Sequence, residues 1–117
     1  MRLVFMGTPE FAATILEDLV QQHEVVAVYT RPDAVRGRGS ETEASPVKSI
    51  AAHYGLPVRE PKTLRDEAGQ RYLADLAPEA ICVASYGMIL PPECRALAAE
   101  GCLNVHASPQ PSRLGAR

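Results

Sequence analysis

The chain has 117 residues, 46% of them hydrophobic and 22% charged, which suits one domain with a modest core and excludes wholesale disorder. A formal net charge of −2 excludes bulk electrostatic recruitment of nucleic acid or anionic membrane, so any such contact must come from a local patch. No apolar run reaches the roughly 20 residues of a membrane span, and Met1 to Met6 is too short for a signal-peptide core, so a soluble cytoplasmic protein without membrane contact is the default expectation.

Arg2 to Met6 reads as a short buried strand, ended by Gly7-Thr8-Pro9. Thr8 is expected to cap the following helix, with Pro9 at its first position. Phe11, Ala12, Ile15, Leu16, Leu19 and Val20 recur at helical spacing and trace one apolar face. Glu24 to Thr30 is a Val-rich second strand, so the chain opens with a strand–helix–strand unit, which builds parallel, right-handed sheets. Arg31 to Ala44 breaks the pattern with Pro32, Gly37 and Gly39 among polar residues, and is expected to be a long mobile loop.

Ser45-Pro46 repeats the cap-plus-proline signature, with Val47, Ile50, Ala51 and Tyr54 on one face and Gly55 as the stop. Leu56 to Arg59 is a weak third strand, and Asp66 to Leu76 a helix that Gly69 weakens. Ala80 to Ala84 is a fourth strand, followed by Ser85-Tyr86-Gly87. Pro91 or Pro92 starts a short helix to Ala99, and Gly101 to His106 is the fifth strand. Strands alternating with helices predict a doubly wound, mostly parallel α/β sheet, in which ligands bind beyond the carboxyl ends of the strands. The first, second, fourth and fifth strands are expected to be buried.

Three cysteines are an odd count, and Cys82 and Cys102, inside apolar runs, suit buried free thiols. Cys94, Cys102 and His106 lack the paired short-gap spacing of zinc sites, so no metal is expected. The first turn is Gly7-Thr8-Pro9-Glu10, not the Gly-x-Gly-x-x-Gly that admits a pyrophosphate, which argues against a dinucleotide. Arg36-Gly37-Arg38-Gly39 offers cations to a phosphate, but Glu41 and Glu43 reduce the local charge. Tyr86-Gly87 suits either a flat heterocycle or a plain strand end.

Asn104-Val105-His106 is the candidate for chemistry. Two residues apart in a strand, Asn104 and His106 leave the same face. An amide N–H₂ donor beside an imidazole suits a carbonyl that becomes an oxyanion under attack. The plainer alternative is an Asn ending a strand and a histidine satisfied in a core.

Read together, Val4 to Ala12, His23 to Val28, Gly37-Arg38-Gly39, Ser45-Pro46-Val47-Lys48, Tyr86 to Pro91 and Gly101 to Ser108 resemble the methionyl-tRNA formyltransferase family in order and spacing across the chain. The resemblance implies a Rossmann-like formyltransferase fold and transfer of a formyl group from 10-formyltetrahydrofolate to the amino group of initiator methionyl-tRNA. It implies that Asn104 and His106 polarise the formyl carbonyl and stabilise its tetrahedral oxyanion, with a later Asp managing protons. It further implies that Tyr86, Gly87, Met88, Ile89 and Leu90, with Ser108, Pro109, Gln110 and Pro111, line the folate pocket, and that the loop carrying Arg38 meets the tRNA.

The sequence departs from the family where Pro109 and Gln110 replace two leucines, Ser112 an Arg, Leu114 the Arg before Gly115, and Ser40 and Glu41 two basic residues. Residues 1–117 are expected to be the N-terminal part of the catalytic domain, truncated before the Asp and the C-terminal tRNA-binding domain. The exposed edge of such a piece invites self-association. The competing expectations are a related formyltransferase acting on a sugar or glycinamide amine, and a non-catalytic folate-binding or self-associating α/β module.

Overall fold

The structure, a computed structural model, describes residues 1–32, 34–35 and 42–106. Among these the chain runs β1 (Arg2–Gly7), α1 (Glu10–Gln22), β2 (Glu24–Tyr29), β3 (Ala34–Val35), β4 (Thr42–Glu43), α2 (Pro46–His53), β5 (Val58–Arg59), α3 (Glu67–Leu76), β6 (Ala80–Ala84), α4 (Pro92–Arg95) and β7 (Cys102–Val105). Five strands form one sheet in the order β5-β2-β1-β6-β7, every pair parallel. Strand order therefore reverses direction between β1 and β6, the position where doubly wound sheets open a crevice at their carboxyl edge.

β1 lies in the middle and is apolar on both faces, as a strand covered on both sides must be. Phe5 joins Val25, Val28, Cys82 and Ala84 on one face, beneath Ala12, Ala13 and Leu16 of α1 and Val47 and Ala51 of α2. Val4 and Met6 join Ala27, Tyr29 and Ile81 on the other, with Leu73 of α3, Cys94 of α4, Leu64, Tyr86 and Leu90. The α/β sheet, the α1 face and the α2 start match the expectations from sequence. Ser45 accepts a hydrogen bond from Lys48 N at 3.0 Å, and Gly55 (φ +69°) takes the left-handed position that ends α2.

Four details correct the sequence reading. Pro9, not Thr8, precedes the first helical residue and no side chain caps α1, because the Thr8 hydroxyl is used elsewhere. The segment after Thr30 contains the antiparallel pair β3–β4; residues 33 and 36–41, including Arg38, lie outside the described residues. α4 stops at Arg95, and residues 96–100 are turns. β7 is not buried: it is the sheet's edge, Leu103 is 61% exposed, and Cys102 is only half-buried.

Gly7 ends β1 by close approach. A Cβ there would lie 2.6 Å from both the Ala12 Cβ and the Ala84 carbonyl oxygen, so glycine lets α1 and β6 close on β1 at the crevice. Gly7→Ala is expected to lower stability by about 1–3 kcal/mol through overpacking. A urea titration of the two proteins checks this, and coincident midpoints would show that the junction yields without cost.

Candidate active site at the carboxyl edge of the sheet

Gly7 pairs with Ala84 and Ala84 with Val105, so β1, β6 and β7 end at one level. Just past that level stand Thr8, the Ser85-Tyr86-Gly87 turn and His106. The Thr8 hydroxyl donates to the Tyr86 carbonyl at 3.1 Å and accepts from the Arg31 backbone N–H at 3.2 Å. It also accepts from the Thr30 hydroxyl at 3.4 Å, which leaves Ser45 as donor in the buried 2.9 Å Thr30–Ser45 bond. Arg31 Nη1 reaches across the crevice and donates to the Gly87 carbonyl at 3.0 Å. These polar links were not legible in the sequence, because each joins residues far apart along the chain.

The loop after β6 forms one wall of an open cleft of about 350 Å³. Gly87, Met88 and Ile89 face Lys62, Thr63, Leu64 and Arg65 across it. Among the described residues the backbone N–H and C=O groups of Met88 and Ile89 have no hydrogen-bond partner, and both residues line the cleft. Ile89 is 81% exposed, a large apolar side chain standing mostly in solvent. Tyr86 and Leu90, expected from the resemblance to line a pocket, have their side chains in the core at 2% and 7% exposure. Lys62 and Arg65, two cations beside this loop, were missed; their separation from it in sequence hid them.

Burial pushes the Tyr86 phenol well above its ordinary pKa, with Tyr29 adding to the shift and Arg31 opposing it, so it stays protonated and is no general base at neutral pH. Its hydroxyl is buried without a hydrogen-bond partner. An orphaned buried hydroxyl carries its desolvation cost uncompensated. Tyr86→Phe is therefore expected to match or exceed the parent in thermal midpoint; a lower midpoint would show that the hydroxyl is satisfied in solution.

Asn104 and His106 are both exposed. Asn104 sits two residues from Cys102, which packs against the cluster containing Tyr86 and Leu64, so strand alternation assigns Asn104 to the cleft's side of the sheet. His106 follows the last strand residue. Neither side chain hydrogen-bonds to a described residue, so both are open to a ligand. Ser108, Pro109, Gln110 and Pro111 lie outside the described residues. Among the described residues no group of three His, Cys, Asp or Glu side chains is placed to hold a metal ion, and no helix is long and apolar enough to cross a membrane.

Comparisons with known proteins bear on the family and the fold. Methionyl-tRNA formyltransferase of Stenotrophomonas maltophilia (strain R551-3) is 51% identical over 116 residues, covering 99% of this chain and 38% of that protein. The enzyme of the same name from Marinobacter nauticus is 47% identical over 117 residues, with the same 99% and 38% coverage. The chain thus spans somewhat over a third of the length of these curated relatives. Among solved structures, glycinamide ribonucleotide transformylase 1 from Geobacillus kaustophilus superposes with a TM-score of 0.62 at 20% identity, covering 95% of this chain and 60% of that one. Phosphoribosylglycinamide formyltransferase from Bacillus halodurans gives 0.60 at 18%, covering 96% and 59%. At such identities these two structures establish the shared fold. The sequence model of the family described as formyl transferase matches residues 1–117, and the chain belongs to that family.

Proposed function

We propose that residues 1–117 are the N-terminal part of a catalytic domain that moves a formyl group from 10-formyltetrahydrofolate to the amino group of methionine on initiator tRNA. The observation that carries this reading is the exposed, unpartnered Asn104 on the cleft side of β7, one strand from the loop whose residues Gly87, Met88 and Ile89 line the cleft. Relatives named methionyl-tRNA formyltransferase at about half identity support the choice of acceptor over a glycinamide or sugar amine.

In this reading the folate's fused heterocycle takes the cleft, its edge hydrogen-bonded to the peptide groups of Met88 and Ile89. Its flat face rests on Gly87, and the exposed Ile89 side chain shields it from water. Ser108 to Pro111 complete the pocket, and the loop carrying Arg38 meets the tRNA. The amine nitrogen attacks the formyl carbon, the C=O electrons move to oxygen, and Asn104 N–H donates to that developing oxyanion. His106 stabilises the same oxyanion and takes part in moving the proton the ammonium must lose. Collapse re-forms the carbonyl, breaks the bond from carbon to folate N10, and delivers a proton to N10. No metal takes part in these steps.

The test is an assay of the full-length gene product with 10-formyltetrahydrofolate and two acceptors, methionyl-tRNA and glycinamide ribonucleotide. Formylation of methionyl-tRNA at least a hundredfold faster in kcat/KM is expected. Preference for the small amine would overturn the acceptor assignment, and no transfer to either would overturn the enzyme reading.

A further inference from the structure

The loop after β6 is held in an unfavourable shape by residues outside the proposed chemistry. Ser85 (φ +54°) and Gly87 (φ +91°) both occupy left-handed backbone, which costs a non-glycine residue such as Ser85 stability and persists only where its surroundings over-determine it. The surroundings do so at three points. The Tyr86 side chain is plugged into the core, the Tyr86 carbonyl accepts from Thr8, and the Gly87 carbonyl accepts from Arg31. Thr8 is itself saturated, with one hydroxyl proton given to Tyr86 and two lone pairs taken by Arg31 N–H and Thr30. The donors run in one direction, from Ser45 through Thr30 and Thr8 to the Tyr86 carbonyl, and Ser45 is anchored at the start of α2. A Cβ on Gly87 would lie 2.8 Å from Arg31 Nη1, so the guanidinium lies close over this peptide.

We propose that Thr8 and Arg31 are positioning residues for the formyl donor: by fixing two consecutive carbonyls, those of Tyr86 and Gly87, they turn the unpaired peptide groups of Met88 and Ile89 toward the cleft. Neither residue touches the donor. The proposal rests on the donor-site reading above and adds what makes that loop a preformed site rather than a turn that must be ordered on binding, an ordering that would cost affinity.

The experiment uses the full-length gene product with Thr8→Val, Thr8→Ser, Arg31→Ala and Arg31→Lys. Tetrahydrofolate affinity is measured by titration, amide exchange is followed over residues 85–90, and KM and kcat are measured for the donor. Thr8→Val and Arg31→Ala are each expected to speed exchange in that loop alone. They should weaken tetrahydrofolate on the order of three- to tenfold, about one hydrogen bond's worth, with the loss in KM for the donor. Thr8→Ser and Arg31→Lys should recover part of the affinity. Unchanged loop exchange, or faster exchange with unchanged affinity, would overturn the proposal, as would a loss confined to kcat. If the unsubstituted protein fails to bind tetrahydrofolate, the donor reading itself fails and the proposal with it, a result seen before any substitution is made.

Discussion

Asn104→Ala in the full-length gene product is expected to lower kcat by about 10²–10³-fold, roughly 2.7–4 kcal/mol of transition-state stabilisation, with little change in KM for the donor. The split follows from where charge develops. The formyl oxygen is a weak acceptor in the bound donor and becomes an anion only as the amine adds, so a donor amide aimed at it is worth most in the transition state. Asn104 has no competing hydrogen bond to a described residue, so nothing in the fold draws its amide elsewhere. Asn104→Asp should be at least as damaging, since it replaces the N–H₂ by a carboxylate that repels the oxyanion. His106→Ala is expected to fall in the same range, and the double variant to lose much less than the product of the two, because groups serving one oxyanion act as a unit. Steady-state and single-turnover formylation of methionyl-tRNA measure these effects. An Asn104→Ala enzyme with unchanged kcat would remove the oxyanion role, and full multiplicativity would separate Asn104 and His106 into independent functions.

What the sequence made legible was periodicity. Apolar runs marked β1, β2 and β6, and the 3.6-residue spacing from Phe11 to Val20 marked α1, since burial on two faces or one stripe dictates those patterns. Ser45 was readable as a cap because its job is done within three residues. Thr8 looked the same and does something else, because its partners Tyr86, Thr30 and Arg31 arrive from other strands. Tyr86 shows the converse limit: a tyrosine before a glycine suits either a flat heterocycle or a plain strand end, and only the fold shows that its ring is buried after the left-handed Ser85. β7 is the clearest case. Cys102, Leu103 and Val105 have the composition of a buried strand, but burial depends on whether a neighbour stands beyond it, and in the described residues none does. The Asn104–His106 pair could be picked out in the sequence as a candidate by its spacing; the cleft with Lys62 and Arg65 across from Ile89 depended on the fold.

The polypeptide of residues 1–117, assayed alone, is expected to transfer formyl groups to methionyl-tRNA at under about 1% of the rate of the full-length gene product. The reason is the solvent around the pair. Asn104 and His106 stand exposed on an edge strand, beside Leu103 at 61% exposure. A unit charge pair 4 Å apart is worth about 1 kcal/mol in bulk water but about 4 kcal/mol at the effective dielectric of a protein surface, a difference of roughly two orders of magnitude in rate. A donor amide is a weaker partner than a full charge, yet it scales the same way: water must be excluded before Asn104 stabilises an oxyanion better than solvent does. The relatives matched are more than twice this length, and the proposed function assigns to such further chain the cover over β7 and the proton-managing Asp that the family resemblance implies. The same exposed edge predicts that residues 1–117 alone self-associate through β7, and Leu103→Lys should reduce that association, since a charge on an edge strand blocks edge-to-edge pairing. Single-turnover formylation and sedimentation on the same preparation check both statements. Transfer by the isolated polypeptide at a tenth or more of the full-length rate, abolished by His106→Ala, would show that the open edge already holds a complete and sufficiently dry site.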